Sequence, residues 1–514
     1  MVEIFYTNNL NQVDSFQLPN YVNQMIPIFL ISLIAEIFIS YRRFCKNERV
    51  YHDFNDVICS LVLGSVQELF HFIIKPLFFI PYLYVWSNFR IVTFSTDSYI
   101  SFIIALLGID LAVYSFHRVG HEINFFWAIH IPHHSSEHYN LSTATRQGIF
   151  QYISAWLHYL PLALIVNPVH YSFHHHWNRI FQFYLHTETF KGKGFLDKIF
   201  VTPSHHQVHH ASNPEYIDKN YGGILIIWDK LFGTFVEEKE HVEIKYGVID
   251  NIDDHSPAIL NCQHFIYMYK LSKQLKGISK LKVLWKSPNW LPEHDDPSLS
   301  KSTNGQKEEQ SLEIEQESKS KRSMNDIASK WICLYSIMEI IGISSFLSIL
   351  ETHSKLLELE DMLYISTILI VQFIYVGMVL NRNHSHQFYQ CNNIYSNNNM
   401  KNNGKEQQPI YNSNFGKYYN LLSTTQSFRL VITSMLLYQM SNWHSTIESE
   451  PLNMVYYNLS VYTVLQLIIW IISINLTELK VVQPSPIHYQ QQTPKSTEEC
   501  KILHFKLLKQ ILNI

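Results

Sequence analysis

Histidine is the residue type in this chain with the clearest capacity for chemistry. Three clusters lie between positions 117 and 210, with the sequences HRVGHE, HIPHH and HHQVHH. A neutral imidazole is a common metal ligand at physiological pH, and residues three or four positions apart share one face of a helix. The spacing therefore predicts bound metal. The cluster residues are His117, His121, His130, His133, His134, His205, His206, His209 and His210.

The clusters contain more imidazoles than one metal ion needs. Two of them share an HxxHH pattern, over 130–134 and 206–210, in which an i,i+3 pair stands beside a further histidine. One helical turn of this kind can offer ligands to two neighbouring ions, and the total exceeds the four ligands of a tetrahedral zinc site. All-nitrogen ligands suit iron, copper, nickel or zinc. We favour two iron ions, because a redox-active pair can activate O₂ against a C–H bond, whereas zinc has no redox chemistry.

The remaining histidines of this region fall into two classes. His186 stands alone at the end of an apolar stretch between the second and third clusters, and this position favours it as an additional ligand. The others lack the HxxHH spacing, so we expect structural or interfacial roles for them. They are His138, His158, His170, His174, His175 and His176.

Two acidic residues near the first cluster are candidates for orienting a ligand or moving a proton. Glu122 directly follows His121, so it could hydrogen-bond a ligand histidine or accept a proton, and we assign it the catalytic role. The alternative for Glu122 is an exposed helix carboxylate. Asp110 lies on the same helical stripe as His117 and inside an apolar span, where an acid is a functional candidate. We expect Asp110 to orient the His117 ring.

Long apolar segments must position these clusters. Prolines predict breaks inside the second and fourth of them, and segments near about 20 residues suit a bilayer. The basic cluster over 42–49 favours a cytoplasmic location for the end of the first segment. The sequence therefore predicts an all-α fold: a polytopic membrane helical bundle with a histidine-rich dimetal site at its cytoplasmic end. The four segments are Met25–Ser40, Val57–Trp86, Tyr99–Phe116 and Gly148–Val169.

Composition divides the 514 residues into five parts. Within 247–325, a stretch that is rich in charged, Ser and Gln residues but poor in large apolar residues is predicted to be disordered, and it separates two groups of apolar spans. The net charge of −4 leaves no basic excess to neutralise phosphates, so we expect no nucleic-acid partner. The predicted parts are an N-terminal segment with the first transmembrane helix (1–56), a catalytic core (57–246), a polar segment and disordered linker (247–325), C-terminal transmembrane helices (326–480) and a polar tail (481–514).

The clusters and their flanking residues resemble the histidine boxes of the membrane fatty acid hydroxylase and sterol desaturase superfamily. The HxxHH pattern is typical of the whole superfamily. The flanking sequences SSEHYNLSTATRQG and IDKNYGGILIIWDKLFGTF are similar to one subfamily in particular, the alkylglycerol monooxygenases. The resemblance is dense over about Val57–Tyr246 and weaker on both sides of that stretch.

The resemblance implies an O₂-dependent diiron monooxygenase, multi-pass in the endoplasmic reticulum membrane, with tetrahydrobiopterin as reductant. Such an enzyme hydroxylates the ether-linked carbon of an alkylglycerol or lyso-ether lipid and releases a fatty aldehyde and a glycerol derivative. The implied partners are the ether lipid, the bilayer and an external pterin-regenerating reductase. Glu122 matches the family's acidic residue after the first box, whereas His138 departs from the acidic residue that is more usual at its position. The residues at ligand positions are His117, His121, His130, His133, His134, His206, His209 and His210, with His186 and His205 as additions.

Two other functions remain open at this point. A sterol or fatty acid hydroxylase or desaturase that receives electrons from cytochrome b5 shares the same boxes. A membrane metal-binding or transport protein without catalysis would also use clustered histidines. Transport predicts ligands along a path inside the spans, whereas these clusters stand at the ends of spans, which favours a site near the membrane surface.

Overall fold

The computed structural model describes residues 21–46, 52–192, 194–249 and 256–292. Within these ranges the fold is helical, and the β contacts there are two isolated antiparallel bridges, Phe200–Leu225 and Ala211–Tyr246. The predicted C-terminal spans and the polar tail lie outside the described residues, as do 250–255 and 293–325 of the predicted polar segment and linker. The helices are α1 (Tyr21–Phe44), α2 (Phe54–Phe89), α3 (Tyr99–Glu122), α4 (Asn124–His134), α5 (Gln151–Tyr159), α6 (Pro168–Leu185), α7 (Pro203–His209), α8 (Ile227–Phe232), α9 (Pro257–Ser272) and α10 (Lys282–Trp285).

Two of these helices, α1 and α3, are long and apolar enough to cross a bilayer. Each has 24 residues, with mean hydropathies of 2.0 and 1.9 over their most apolar windows. At about 1.5 Å per residue, such a helix exceeds the roughly 30 Å hydrocarbon thickness. On α1 the side chains of Ile31 and Ile34 are 67% and 66% exposed, as lipid-facing residues would be. The predicted segments Met25–Ser40 and Tyr99–Phe116 thus lie within real helices.

The predicted break inside the second apolar segment is wrong. Helix α2 continues from Phe54 to Phe89 without interruption, through both prolines of that segment. A proline removes one backbone donor, and packing by neighbouring elements can offset that loss. Near the end of α2, Tyr82 and Trp86 pack on Ala163, and the Tyr82 hydroxyl donates to the Val166 carbonyl at 2.8 Å.

The fourth apolar segment does break, as Pro161 predicted. Helix α5 ends at Tyr159, a 3₁₀ turn covers Leu160–Leu164, and α6 begins at Pro168 with Asn167 as its N-cap. The Asn167 side chain accepts from the Val169 N–H at 2.7 Å. Neither α5 nor that turn is long enough to span a bilayer alone.

Glu36, an acid inside the apolar span α1, fixes this helix to the part of the fold that carries the histidines. It is buried, and its Oε2 accepts from the Leu141 N–H at 2.8 Å. Its Oε1 accepts from the Thr187 hydroxyl, one residue beyond His186. A buried carboxylate needs such donors, so α1 is anchored to two loops beside the clusters.

Close packing at Gly64 joins α2 to the 3₁₀ turn Leu141–Thr145. A Cβ atom added at Gly64 would lie 2.5 Å from the Thr145 carbonyl oxygen and 2.9 Å from the Thr145 Cβ. We expect Gly64→Ala to lower the free energy of unfolding by about 1–3 kcal/mol, because the backbone must move apart. Thermal unfolding in detergent measures this, with Ser87→Ala at an exposed position of α2 as the control. Equal melting temperatures for Gly64→Ala and the control would contradict the close packing.

Candidate metal centre

Nine of the ten predicted ligand histidines converge into two adjacent groups in the interior. Within each group, one ring nitrogen from every histidine lies within 4.8 Å of the others. All nine side chains are buried. The five-histidine group is His117, His121, His130, His134 and His209, and the four-histidine group is His133, His186, His206 and His210.

Helical spacing explains how each HxxHH pattern divides between the groups. Residues four apart point to one side of a helix, so His130 and His134 enter the five-histidine group together. His133 points away from them and enters the four-histidine group. The third cluster is divided in the reverse sense, because His206 and His210 belong to the four-histidine group and His209 to the other. One turn from each of these two clusters thus offers ligands to both positions, whereas His117 and His121 of the first cluster both belong to the five-histidine group.

Backbone carbonyls set the tautomers of four of these rings. The Nδ1 atoms of His117 and His209 lie 2.9 Å from the carbonyl oxygens of Tyr221 and Lys219. Those of His133 and His186 lie 3.0 and 2.8 Å from the carbonyls of Arg146 and Gln182. A carbonyl only accepts, so Nδ1 carries the proton in each ring and Nε2 keeps its lone pair. This is the arrangement that orients a histidine for metal binding.

The lone pairs that result face one another. The Nε2 atoms of His133 and His186 are 3.3 Å apart, and neither carries a proton to donate, so their contact is not a hydrogen bond. Two nitrogens bound to one ion at about 2.1 Å, at angles of about 90–110°, lie about 3.0–3.4 Å apart. The buried Nε2 atoms of His209 and His210 also lack a hydrogen-bond partner among the described residues. The residues therefore fit a metal ion in each group.

Burial keeps these imidazoles in the neutral, ligating form. Removal from water disfavours the imidazolium and so lowers the pKa of six cluster histidines well below the usual value. The same cause lowers the pKa of His186 to about 4. At neutral pH these rings are available to a cation without first losing a proton. The six are His130, His133, His134, His206, His209 and His210.

His205 lies outside both groups, which argues against the predicted ligand role. Its Nδ1 atom accepts from the Thr202 N–H at 3.3 Å, and its ring packs against Phe235 at 5.5 Å between centroids. His205 is the third residue of α7 and completes a capping box with Thr202. Its neighbour His206, turned by one residue around the helix, reaches the four-histidine group instead.

Glu122 points toward the surface rather than into the groups. Its carboxylate is 44% exposed and accepts from Arg118 Nε, one turn earlier on α3, at 2.8 Å. The carboxylate found beside a ligand ring is Asp218, whose Oδ1 lies 3.5 Å from His121 Nδ1. The catalytic role of Glu122 stays a prediction.

The predicted contact between Asp110 and the His117 ring is wrong. Asp110 Oδ1 accepts from the Ile224 N–H at 2.8 Å, and its Oδ2 accepts from the Leu225 N–H at 2.9 Å. The Tyr221 carbonyl orients His117 instead. Asp110 and His117 do share one face of α3, but the backbone amides of Ile224 and Leu225 satisfy the buried Asp110 carboxylate.

The histidines expected to be structural all lie outside the two groups. His170 Nδ1 is 2.8 Å from the Ser101 hydroxyl, and His158 Nδ1 is 3.1 Å from the Ser115 hydroxyl. The sequence did not reveal the carbonyls that accept from the ligand-position histidines, since every residue type has a carbonyl group. For the carbonyls of Lys219 and Tyr221, the only signal in the sequence was the turn-forming run DKNYGG at 218–223.

Comparison with known proteins supports the resemblance seen in the motifs. Residues 102–234 match the model of the fatty acid hydroxylase family, a range that contains every ligand candidate. The chain is 41% identical to an alkylglycerol monooxygenase of Danio rerio over 277 residues, 54% of this chain and 61% of the relative. It is 37% identical to the Homo sapiens alkylglycerol monooxygenase over 294 residues, 56% of this chain and 65% of the relative. The chain thus spans less than two thirds of these relatives.

A more distant similarity is to a lipid hydroxylase. The ornithine lipid hydroxylase OlsE of Rhizobium tropici is 30% identical over 138 residues, 26% of this chain and 41% of the relative. No solved structure matches this chain. The resemblance to the alkylglycerol monooxygenases, expected from the residues around the histidine clusters, is confirmed over more than half of the chain.

Proposed function

We propose that the chain is an O₂-dependent monooxygenase that cleaves the ether bond of alkylglycerols and lyso-ether lipids. The observation that carries the proposal is the convergence of nine buried histidines into two groups, in a chain that is 41% identical to an alkylglycerol monooxygenase over 277 residues. One oxygen atom of O₂ is inserted into a C–H bond of the ether-linked carbon. The other oxygen atom is reduced to water by two electrons from tetrahydrobiopterin, together with two protons. The hemiacetal product then separates into a fatty aldehyde and a glycerol derivative.

Two iron ions are the proposed metal cofactors. The five-histidine group would hold one ion and the four-histidine group the other. When bound, the pair supplies the redox chemistry that activates O₂. The protein holds four of the rings in one tautomer through backbone carbonyls, and all nine side chains are buried.

The bilayer is the proposed environment, and the endoplasmic reticulum the proposed membrane, with a multi-pass chain. Besides α1 and α3, an exposed apolar surface lies at the junction of 195–199 and α8, where the Ile226 N–H donates to the Ile199 carbonyl at 3.0 Å. Phe195, Leu196 and Leu231 on this surface are 76%, 60% and 69% exposed. A patch of this kind suits contact with lipid. An external reductase that regenerates the pterin completes the proposed partners.

The direct test supplies an alkylglycerol, O₂ and tetrahydrobiopterin to membranes that contain the full chain and measures fatty aldehyde. We expect aldehyde release that requires all three additions. A parallel reaction replaces the pterin with NADH, cytochrome b5 and its reductase. Turnover only in that parallel reaction would favour a cytochrome b5-dependent sterol or fatty acid hydroxylase or desaturase. Bound metal without turnover in either reaction would favour a non-catalytic metal-binding protein.

Replacement of Glu122 by glutamine tests the proposed proton-accepting role. The amide keeps the size of the side chain and can still accept from Arg118, but it cannot take up a proton. We expect kcat to fall about a hundredfold or more, the usual contribution of a general acid–base group, with the metal content unchanged. Glu215→Gln, at an exposed position, is the matched control. Full turnover of the Glu122→Gln protein would remove Glu122 from the mechanism.

A further inference from the structure

A single loop, residues 218–225, contacts three of the five histidines in the five-histidine group. Its carbonyls at Lys219 and Tyr221 accept from His209 and His117, each at 2.9 Å. Asp218 Oδ1 lies 3.5 Å from His121 Nδ1. The Tyr221 ring packs on the same three histidines, with centroids 5.9 Å from His117, 5.3 Å from His121 and 5.9 Å from His209.

Two buried carboxylates fix the backbone of this loop. Asp229, on α8, accepts from the Tyr221 N–H at 2.7 Å through Oδ1 and from the Gly222 N–H at 2.8 Å through Oδ2. Asp110, on α3, accepts from the N–H groups of Ile224 and Leu225 at 2.8 and 2.9 Å. Helix α3 also carries His117 and His121. Asp110 therefore holds the loop against the helix that carries two of the histidines the loop contacts.

The backbone of the loop has little freedom to take another path. A Cβ at Gly222 would lie 2.9 Å from Asp229 Oδ2, the Leu225 carbonyl oxygen and Val201 Cγ2. Asp218 and Asn220 adopt positive φ angles of 58° and 55°, which cost energy for residues with a side chain. The hydrogen bonds from the loop to Asp229 and Asp110 must compensate this cost. Loss of one of these hydrogen bonds should therefore displace the carbonyls of Lys219 and Tyr221.

The four-histidine group has other orienting carbonyls and another aromatic neighbour, although the loop also reaches α7 through Asn220 Nδ2, which donates to the His205 carbonyl at 3.1 Å. Its orienting carbonyls belong to Arg146 and Gln182. Its aromatic neighbour is Tyr139, whose ring lies 5.7 Å from His186 and 5.2 Å from His210. The Tyr139 hydroxyl donates to the Leu185 carbonyl at 3.0 Å rather than to the 218–225 loop.

We propose that Asp110 and Asp229 are positioning residues for one metal position alone, the five-histidine group, so that the two ions depend on separate parts of the chain. This inference rests on the proposed paired-metal function and deepens it. Asparagine in place of Asp229 offers one acceptor and one NH₂ donor, so an N–H of Tyr221 or Gly222 would then face a donor. Loss of such a partner typically weakens metal binding by about 10–100-fold.

The test measures iron per chain in the purified full-length protein after dialysis against a weak chelator. We expect two ions for the wild type and one for Asp229→Asn, with the content of Glu215→Gln equal to that of the wild type. Adding His206→Ala to Asp229→Asn should bring the content close to zero. Adding His117→Ala to Asp229→Asn should leave it near one, since both changes affect the same position.

Asp110→Asn gives an independent reading if Asp229→Asn fails to fold, as judged by far-UV circular dichroism and elution volume. We expect one iron per chain in this variant too. Retention of two ions by a folded variant, or equal loss of both, would overturn the inference. The proposed function fails separately, because a wild type with two ions and no ether cleavage contradicts that function while leaving the positioning role intact.

Discussion

Replacing either His133 or His209 by alanine is expected to abolish ether cleavage while the protein still folds and inserts. The two residues belong to different groups. Each replacement removes from its group one imidazole that a backbone carbonyl orients. Even an outer partner of a ligand contributes about 10–100-fold, so loss of a ligand itself should lower kcat/KM by at least about a hundredfold. Aldehyde release by membranes that contain equal amounts of each variant measures the effect.

His241→Ala is the matched control, because this histidine is exposed and lies within the same predicted catalytic core. We expect the control to retain wild-type turnover. Retained activity of His133→Ala or His209→Ala at wild-type expression would contradict a role for that group in the reaction. Equal loss in the control would point to a general effect of histidine removal.

The second large effect is expected for Arg146→Met, which should lower the free energy of unfolding by about 3–5 kcal/mol. Arg146 is 1% exposed, and its Nη1 donates to Asp56 Oδ1 at 3.0 Å. Its Nε donates to the Ser135 hydroxyl, one residue after the second cluster, also at 3.0 Å. Methionine leaves the Asp56 carboxylate buried without its cation. Because the Arg146 carbonyl orients His133, metal content should fall as well.

A double variant separates the ion pair from simple packing. Arg146→Met combined with Asp56→Leu removes both charges, so it should be less destabilised than Arg146→Met alone. Arg90→Met is the control, since Arg90 is exposed and its Nε donates to the nearby Thr93 hydroxyl rather than to a buried acid. Melting temperatures that fall by the same amount in Arg90→Met and Arg146→Met would contradict the importance of the buried pair.

Sequence reasoning found the candidate ligands because each has a side chain whose chemistry and spacing are visible. Imidazoles four apart on a helix must share a face, so the division of His130 and His134 from His133 follows from helix geometry. His205 resembled its neighbours in type and position. Its direction depends on where α7 begins, and the capping box at Thr202 decides that.

Features that depend on the backbone were not predictable in the same way. The partners of His117 and His209 are carbonyls, which every residue has, so no residue type marks them. Asp110 was identified as important, but its backbone partners lie more than a hundred residues further along the chain and became evident only in the fold. The continuous helix α2 likewise shows packing by neighbours overriding a local signal from proline.

X-ray absorption at the iron edge of the purified full-length protein would test the central claim most directly. The facing Nε2 lone pairs of the two groups predict bound iron surrounded by imidazole nitrogens at about 2.1 Å, with a second iron as a further neighbour. Sulfur neighbours, a single isolated iron, or no bound iron would contradict it.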